Sequence, residues 1–358
     1  LSFAGTRTQH RMAVNIEDAG FEIRDMIAWV YGSGFPKSHN IGKAVDKLQG
    51  NEREDLGNLG ELNGRDTSKH KKEHEILGGV NGWDKEVTKG TSEWEGWGTA
   101  LKPALEPITM ARKPFKGTVA NNVLKNGVGG INIDGCRVDA KNRRSPCGAD
   151  GKVHRTSGNV YGKHKQSDFD LTQGRFPANF IHDGSDEVKD LFPDTKTGKA
   201  IRSKSGGKNF GSNTRKPILE DLGYNEKGGS ASRFFYCAKA SKKDRNEGLE
   251  DFEDKKAGSY EFRQDGSLYG KETKANKNNH PTVKPTDLMR YLVRLVTPKN
   301  GIVLDCFMGS GSTGKACALE GFEFVGIDLD KDYCEIAKAR IDKAIEDKKQ
   351  DESQKELF

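Results

Sequence analysis

The segment Val303-Leu304-Asp305-Cys306-Phe307-Met308-Gly309-Ser310-Gly311-Ser312-Thr313-Gly314 constrains the fold more than any other part of the chain. An apolar run enters it, glycines turn it, and a helix-forming run, 312–320, leaves it. Glycines at such a turn let the backbone approach a ligand closely, and the N-terminus of the outgoing helix offers N–H groups without internal partners. The surroundings repeat the same grammar. A helix follows Pro285, which suits a first helical turn, and its apolar face is Leu288, Leu292, Leu295 and Val296. Residues 301–304 read as a strand, 322–327 as another, and 331–345 as a closing helix. The tail, 348–358, is polar and reads as frayed.

The N-terminal stretch has similar grammar. Residues 1–4 read as the inside of a strand, Gln9 to Ala19 as a helix with Met12, Ile16 and Ala19 on one face, Gly20 as its stop, and 21–30 as a second strand. Strand–helix–strand units with short joins predict a parallel α/β sheet. Because Leu1 is not Met and falls mid-strand, the expectation is that N-terminal sequence is missing. From about 50 to 230 the pattern dissolves. Polar stretches at 51–75 and 195–216 enclose short ordered-looking pieces at 107–113, 118–124, 130–138 and 175–181. Residues 233–238 form a short aromatic strand, and 242–277 read as loop. The expected organisation is a catalytic domain in two parts, 1–50 and 231–347, interrupted by an insertion at 51–230 and followed by the polar tail.

Composition fits this picture. Of 358 residues, 33% are apolar and 31% charged, so a core is possible while much of the chain is loop or surface. A formal net charge of +6 suits a polyanionic partner. None of the six cysteines forms a Cys-x-x-Cys pair, and no Cys/His cluster has zinc spacing. They read as buried free thiols of a reducing compartment. No apolar run approaches the roughly 20 residues of a membrane span. Nothing resembles a signal peptide, and the expected location is the cytoplasm.

The loop's chemistry narrows its ligand. A Gly-x-Gly turn by itself fits a dinucleotide or no ligand at all. Asp305, however, sits where a pyrophosphate would approach, and a carboxylate there repels phosphate and suits a cation. S-adenosylmethionine carries an ammonium and a sulfonium and has no phosphate. Asp328 ends the next strand, where a carboxylate can take both ribose hydroxyls. Upstream, His280-Pro281-Thr282-Val283-Lys284-Pro285 leads into a helix. Lys284 and that helix N-terminus would make an anion site for the methionine carboxylate.

Together, residues 280–285, the loop 305–314 and Asp328 resemble the cofactor half of β-arrangement DNA amino-methyltransferases, which modify N6 of adenine or N4 of cytosine. Leu1–Thr8 and 27–37 look like site-specific members found in phages and mobile elements. Residues 96–114, 175–184, 232–236 and 239–241 are similar to their middle region, and the ending Glu356-Leu357-Phe358 to their C-terminus. The resemblance implies a Rossmann-like S-adenosylmethionine-dependent methyltransferase sheet with helices on both faces, interrupted by a loop-rich target-recognition insertion. It also implies double-stranded DNA as partner. Carried over by position, Phe307, Gly309 and Gly311 would line the donor site. Asp305 and Thr313 would reach its methionine end, Asp328 its ribose, and Thr282, Lys284 and Pro285 the far side.

The family's catalytic tetrapeptide is Asp, Asn or Ser, then Pro-Pro, then Tyr or Phe. A side-chain oxygen and a backbone carbonyl accept the amine's hydrogens, and the aromatic stacks on the flipped base. This chain has no such tetrapeptide. By family order it belongs upstream of Leu1, so the chain as given is expected to bind the donor and to be inactive. Ser145-Pro146-Cys147 contains the Pro-Cys pair of C5-cytosine methyltransferases, but it sits in a polar insertion and the cofactor motifs are in the wrong order for that class. In the insertion, 69–72, Arg143-Arg144 and 199–208 supply positive charge for phosphate contacts, and Trp94 and Trp97 are candidates for stacking. Three other readings stay open at this point: a degenerate methyltransferase-like DNA-binding module, a nicotinamide-dependent oxidoreductase, and an RNA methyltransferase.

Overall fold

The computed structural model describes residues 1–32, 34, 38–58, 86–139, 174–195, 201–203, 219–221, 229–238, 241–255, 261–262, 268–269 and 275–355. The chain forms two compact units. One is built from Leu1–Gly32, Leu105–Glu253 and His280–Phe358, the other from Ser33–Ala104 and Asp254–Asn279.

The first unit holds a five-stranded sheet of β1 (Ser2–Phe3), β2 (Glu22–Val30), β3 (Leu105–Arg112), β4 (Phe180–His182) and β5 (Tyr236–Cys237), in the order β1-β3-β2-β4-β5. Strand β3 runs antiparallel to both β1 and β2, whereas β4 pairs parallel with β2 and β5 parallel with β4. The parallel sheet expected from residues 1–31 is therefore a mixed one. Strand β3 separates β1 from β2, although its sequence reads as a piece of the insertion. Its centre explains the placement: Ile108 and Thr109 point to opposite faces and both are buried, as a central strand requires. Helix α1 (Gln9–Asp18) packs on β2 and β3. Of its expected apolar face only Ile16 is half-buried, while Met12 and Ala19 are exposed.

The second half of this unit follows the sequence closely. Helix α2 (Val119–Asn126) is N-capped by Thr118, whose side chain accepts from the Asn121 N–H. A short helix α3 (Lys242–Asn246) stands where a loop was expected, capped by Ser241. Helix α4 (Thr286–Val296) precedes β6 (Ile302–Asp305), α5 (Ser312–Glu320), β7 (Glu323–Gly326) and α6 (Lys331–Lys355). Strands β6 and β7 pair in parallel, and α5 packs between α4 and α6. Helix α6 continues well past the expected end at 345. Its last turns contain no Gly or Pro, Lys343 pairs with Asp347 at 2.9 Å, and Lys348 Nζ donates to the Ala318 carbonyl at 3.1 Å.

One apolar core spans these pieces. It joins Ile27, Trp29, Ile108 and Ile181 of the sheet to Leu288, Leu292 and Leu295 of α4 and to Ala316 and Cys317 of α5. Tyr291 stacks on Tyr236 with ring centroids 4.1 Å apart, tying α4 to β5. Val296, expected on this face, is 36% exposed, while Met289, Tyr291 and Val293 are buried in addition to the expected leucines. At the outer end of the helix pair, Glu320 of α5 accepts from Arg290 and Arg294 of α4 at 2.6–2.7 Å. Strand β6 exposes Ile302 and Leu304, and β7 exposes Val325, while Val303 and Phe324 face the core.

The described cysteines are free, as expected, but not uniformly buried: Cys136 and Cys317 are buried, Cys237 and Cys334 half-buried, and Cys306 exposed in the glycine loop. Cys147 lies outside the described residues. Burial pushes the Cys317 thiol up to about 12, so it is inert at neutral pH. Among the described residues no helix is long and apolar enough to cross a membrane.

The second unit contains helix Ile41–Gln49 and an antiparallel pair of strands, Glu54–Asn58 and Glu86–Lys89. Arg53 ties it together, bonding the fully buried Asp46, and Glu95 at 2.9 Å through both its terminal nitrogens.

Leu292 has no exposed surface. Leu292→Ala is expected to destabilise the protein by about 2–5 kcal/mol, read as a fall in the urea midpoint. Leu48→Ala, at an 88% exposed site, is the matched control and should stay within about 0.5 kcal/mol.

Candidate cofactor site

The glycine loop is shaped from three sides. Asp305 ends β6, and its carboxylate accepts from the Phe307 N–H at 3.1 Å and from the Thr313 hydroxyl at 2.5 Å. Asp328 follows β7 and accepts from the Gly309 N–H at 2.9 Å and the Asp330 N–H at 3.0 Å. The Met308 N–H donates to the Ile327 carbonyl and the Ile327 N–H to the Asp305 carbonyl, which stitches the loop to the strand ends. Both acids expected at the site are thus beside the loop, and both also hold its shape.

Two glycines are required. Gly309 has φ +50°, and a Cβ there would lie 2.6 Å from His280 Nε2. Gly311 has φ +77°, and a Cβ there would lie 2.7 Å from the Ala337 Cβ of α6. The loop is pressed between the His280 ring and the backbone of α6, so both the left-handed conformation and the close approach exclude a side chain. Gly311 is also the N-cap of α5 and gives it no side-chain cap. The first N–H groups of α5 consequently form an electropositive end beside the loop. Phe307, at 91% exposure, projects from the loop with its face open.

His280 forms one wall. Its Nδ1 accepts from the Thr282 N–H at 3.2 Å, and Tyr333 of α6 meets its ring edge-on at 4.6 Å. Burial pulls the imidazole below its ordinary pKa against the opposing pull of Asp328. Burial thus favours the neutral ring, with the acceptor Nδ1 toward Thr282.

The anion site expected at Lys284 and the N-terminus of α4 is already filled by the chain's own carboxylates. Lys284 Nζ donates to Glu106 Oε1 of β3 at 2.6 Å and lies over the rings of Phe3 and Trp29. Asp244 of α3 caps α4, accepting from the Thr286 N–H at 2.8 Å and the Thr286 hydroxyl at 2.6 Å. Lys284 still touches the loop region through its carbonyl, which accepts from the Ser312 hydroxyl at 2.9 Å. Pro285 is buried at the N-cap of α4, and Thr282 is exposed beside His280.

A family profile described as DNA methylase matches residues 1–339. The chain belongs to the N6/N4 DNA methylase family. It is similar to the Type II methyltransferase M2.LlaDCHI of Lactococcus lactis subsp. cremoris, 43% identical over 22% of this chain and 29% of that protein. It is similar to M2.DpnII of Streptococcus pneumoniae, 41% identical over 18% of this chain and 24% of that protein. The DNA adenine methyltransferase YhdJ of Escherichia coli K12 is 36% identical over 18% of this chain and 22% of its own length. The chain thus spans less than a third of the length of each of these relatives. Among solved structures, that of M1.HpyAVI is 43% identical over 17% of this chain and 30% of that one, with a TM-score of 0.16.

The sequence pattern did not single out Asp244, Lys315 and Arg340. Lys315 of α5 is buried and donates to Asp244 at 2.8 Å and Glu247 at 2.6 Å. Arg340 of α6 has no exposed surface and bonds the Ser310 carbonyl at 2.6 Å. A signal for Arg340 was available: it shares a helical stripe with Ile336, Ala337 and Ala344, all buried. The basic clusters at 69–72 and 143–144, Ser145-Pro146-Cys147 and, apart from the short strand Ile201–Ser203 paired antiparallel with Leu219–Asp221, the cluster at 199–208 lie outside the described residues. Trp94 and Trp97 lie in the second unit, edge-to-face at 5.2 Å and 40% and 59% exposed.

Burial opposes ionisation of Asp244, yet the hydrogen bonds from Lys315 and Thr286 hold its carboxyl below its ordinary value. A depressed carboxyl adds stability above its unfolded pKa, near 4, and loses it as pH falls through the native one. Asp244→Asn should lower the thermal midpoint at pH 7. Below pH ~4 its midpoint should converge on that of the wild type, as read by thermal scans from pH 2 to 7.

Proposed function

We propose that this chain binds S-adenosylmethionine at the glycine loop and serves methyl transfer to an exocyclic amine, N6 of adenine or N4 of cytosine, in double-stranded DNA. The reading is carried by one observation: a loop with room for backbone only is flanked by two carboxylates, Asp305 and Asp328, and opens onto a helix end without a side-chain cap. A dinucleotide brings two phosphates to such a loop and meets Asp305, whereas a cationic nucleoside without phosphate is attracted by both acids. Membership of the DNA methylase family supports the same ligand and acceptor. It also supports a Rossmann-like arrangement for the β6–α5–β7 segment and, with DNA as acceptor, a cytoplasmic location.

In this reading Asp328 accepts the ribose hydroxyls with the carboxylate that also takes the Gly309 N–H. Phe307 packs its exposed ring on the adenine. Asp305, held by Thr313, faces the ammonium of the methionine end. Gly309 and Gly311 admit the ligand to the backbone. Thr282, Lys284 and Pro285 close the far side beside His280, and the methionine carboxylate goes to the free N-terminus of α5 in place of Lys284 and α4. The bound group supplies an electrophilic methyl on a sulfonium. The protein's part at the cofactor is to fix the methyl's direction and exclude water. The sequence holds no Pro-Pro dipeptide, so the acceptors for the amine hydrogens are assigned to none of its residues.

Calorimetric titration tests the site. S-adenosylmethionine should bind and NADH should not, and Asp328→Ala should weaken S-adenosylmethionine about tenfold or more, the scale of a lost charge-assisted hydrogen-bond pair. NADH binding to the wild type, with no heat from S-adenosylmethionine, would overturn the reading. A companion assay with methyl-labelled donor and unmethylated duplex DNA reports transfer, and digestion to nucleosides names the base.

A further inference from the structure

The glycine loop is hydrogen-bonded from below by a fully buried arginine. Arg340 extends from α6 beneath the glycine loop. One terminal nitrogen donates to the Ser310 carbonyl at 2.6 Å, to the Ser310 hydroxyl at 3.2 Å and to the Ser312 hydroxyl at 3.3 Å. The other donates to the Asp244 carbonyl at 3.2 Å. The Ser312 hydroxyl in turn donates to the Lys284 carbonyl. One guanidinium therefore fixes the loop and, through Asp244 and Ser312, both ends of the segment that carries Lys284 and Pro285 into α4.

A stability role is a poor account of this choice. Taking a guanidinium wholly out of water is costly, and an apolar side chain of similar volume is often as stabilising or more so. An apolar side chain cannot hold a carbonyl and two hydroxyls at one place. A lysine cannot match the planar fork that reaches the loop and α3 together. The charge is balanced locally, with Arg340 and Lys315 set against Asp244 and Glu247.

We infer that Arg340 is a positioning residue for the cofactor loop: it orients the peptide groups from Ser310 to Ser312, the turn from which the first N–H groups of α5 emerge. The inference rests on the reading of this loop as the S-adenosylmethionine site. Its action is on geometry, so it should appear in ligand affinity and in local amide protection more than in global stability.

The test compares the wild type with Arg340→Met, Arg340→Lys and Arg294→Met. Arg294 pairs with Glu320 at 2.6 Å at the other end of α5, so its loss loosens the same helices away from the loop. The readouts are the calorimetric Kd for S-adenosylmethionine, the thermal midpoint, and hydrogen exchange of 309–313 by mass spectrometry. Arg340→Met should raise Kd at least tenfold and speed exchange of 309–313, Arg340→Lys should raise Kd several-fold, and Arg294→Met should lower the midpoint with Kd within twofold of wild type. Should Arg340→Met fail to fold, Arg340→Lys carries the comparison. Unchanged Kd and exchange in a folded Arg340 variant would overturn the inference, as would equal effects in Arg294→Met. If the wild type binds no S-adenosylmethionine, the reading of the site falls, and the exchange data alone still decide whether Arg340 positions the loop.

Discussion

Asp244 is where the elements around the glycine loop are tied together. Its carboxylate caps α4 through Thr286 and receives the buried ammonium of Lys315 from α5, and its carbonyl receives Arg340 from α6. Each contact is individually ordinary, but the acceptors and donors are mutually dependent. Without Asp244, Lys315 keeps only Glu247, Arg340 loses a carboxylate 3.9 Å away, and a helix N-terminus loses its cap, and undercompensated buried charge is among the most expensive defects a fold can carry. The geometry of the glycine loop is inherited from this cluster, because Arg340 holds the loop only while Asp244 helps to hold Arg340.

The same cluster decides which electropositive end is available. Helix α4 spends its N-terminus on Asp244, and Lys284 spends its charge on Glu106. Helix α5 begins at Gly311 without a side-chain cap. Of two neighbouring helix ends, α4 is capped by a side chain and the buried start of α5, beside Asp305, is not. An anion and a cation, as at the two termini of an amino-acid moiety, can then be held within one short turn.

The mixed sheet has its own logic. Strand β3 enters between β1 and β2 and brings Glu106 to Lys284. It also supplies the fully buried Ile108 to the core that α4 covers. This strand therefore serves both the sheet and the approach to α4, tying the segment 280–285 to the sheet by an ion pair set against the rings of Phe3 and Trp29.

The sequence by itself determined the local elements and the nature of the loop. Periodicity located α4, α5 and the start of α6, and glycines at 309 and 311 marked a turn where backbone must approach something closely, because no other residue tolerates positive φ with so little room. That Asp305 and Asp328 flank the loop was legible because both stand at or just past strand ends. What the sequence did not reveal depends on distant partners. That β3 separates β1 from β2, that Lys284 is neutralised by Glu106 at a sequence separation of 178, and that Asp244 caps α4 from a stretch read as loop are decided by which surfaces meet once the core closes. The stripe Arg340 shares with Ile336, Ala337 and Ala344 hinted that it points inward, and only tertiary packing shows which acceptors its buried guanidinium finds, on the loop and at the Asp244 carbonyl.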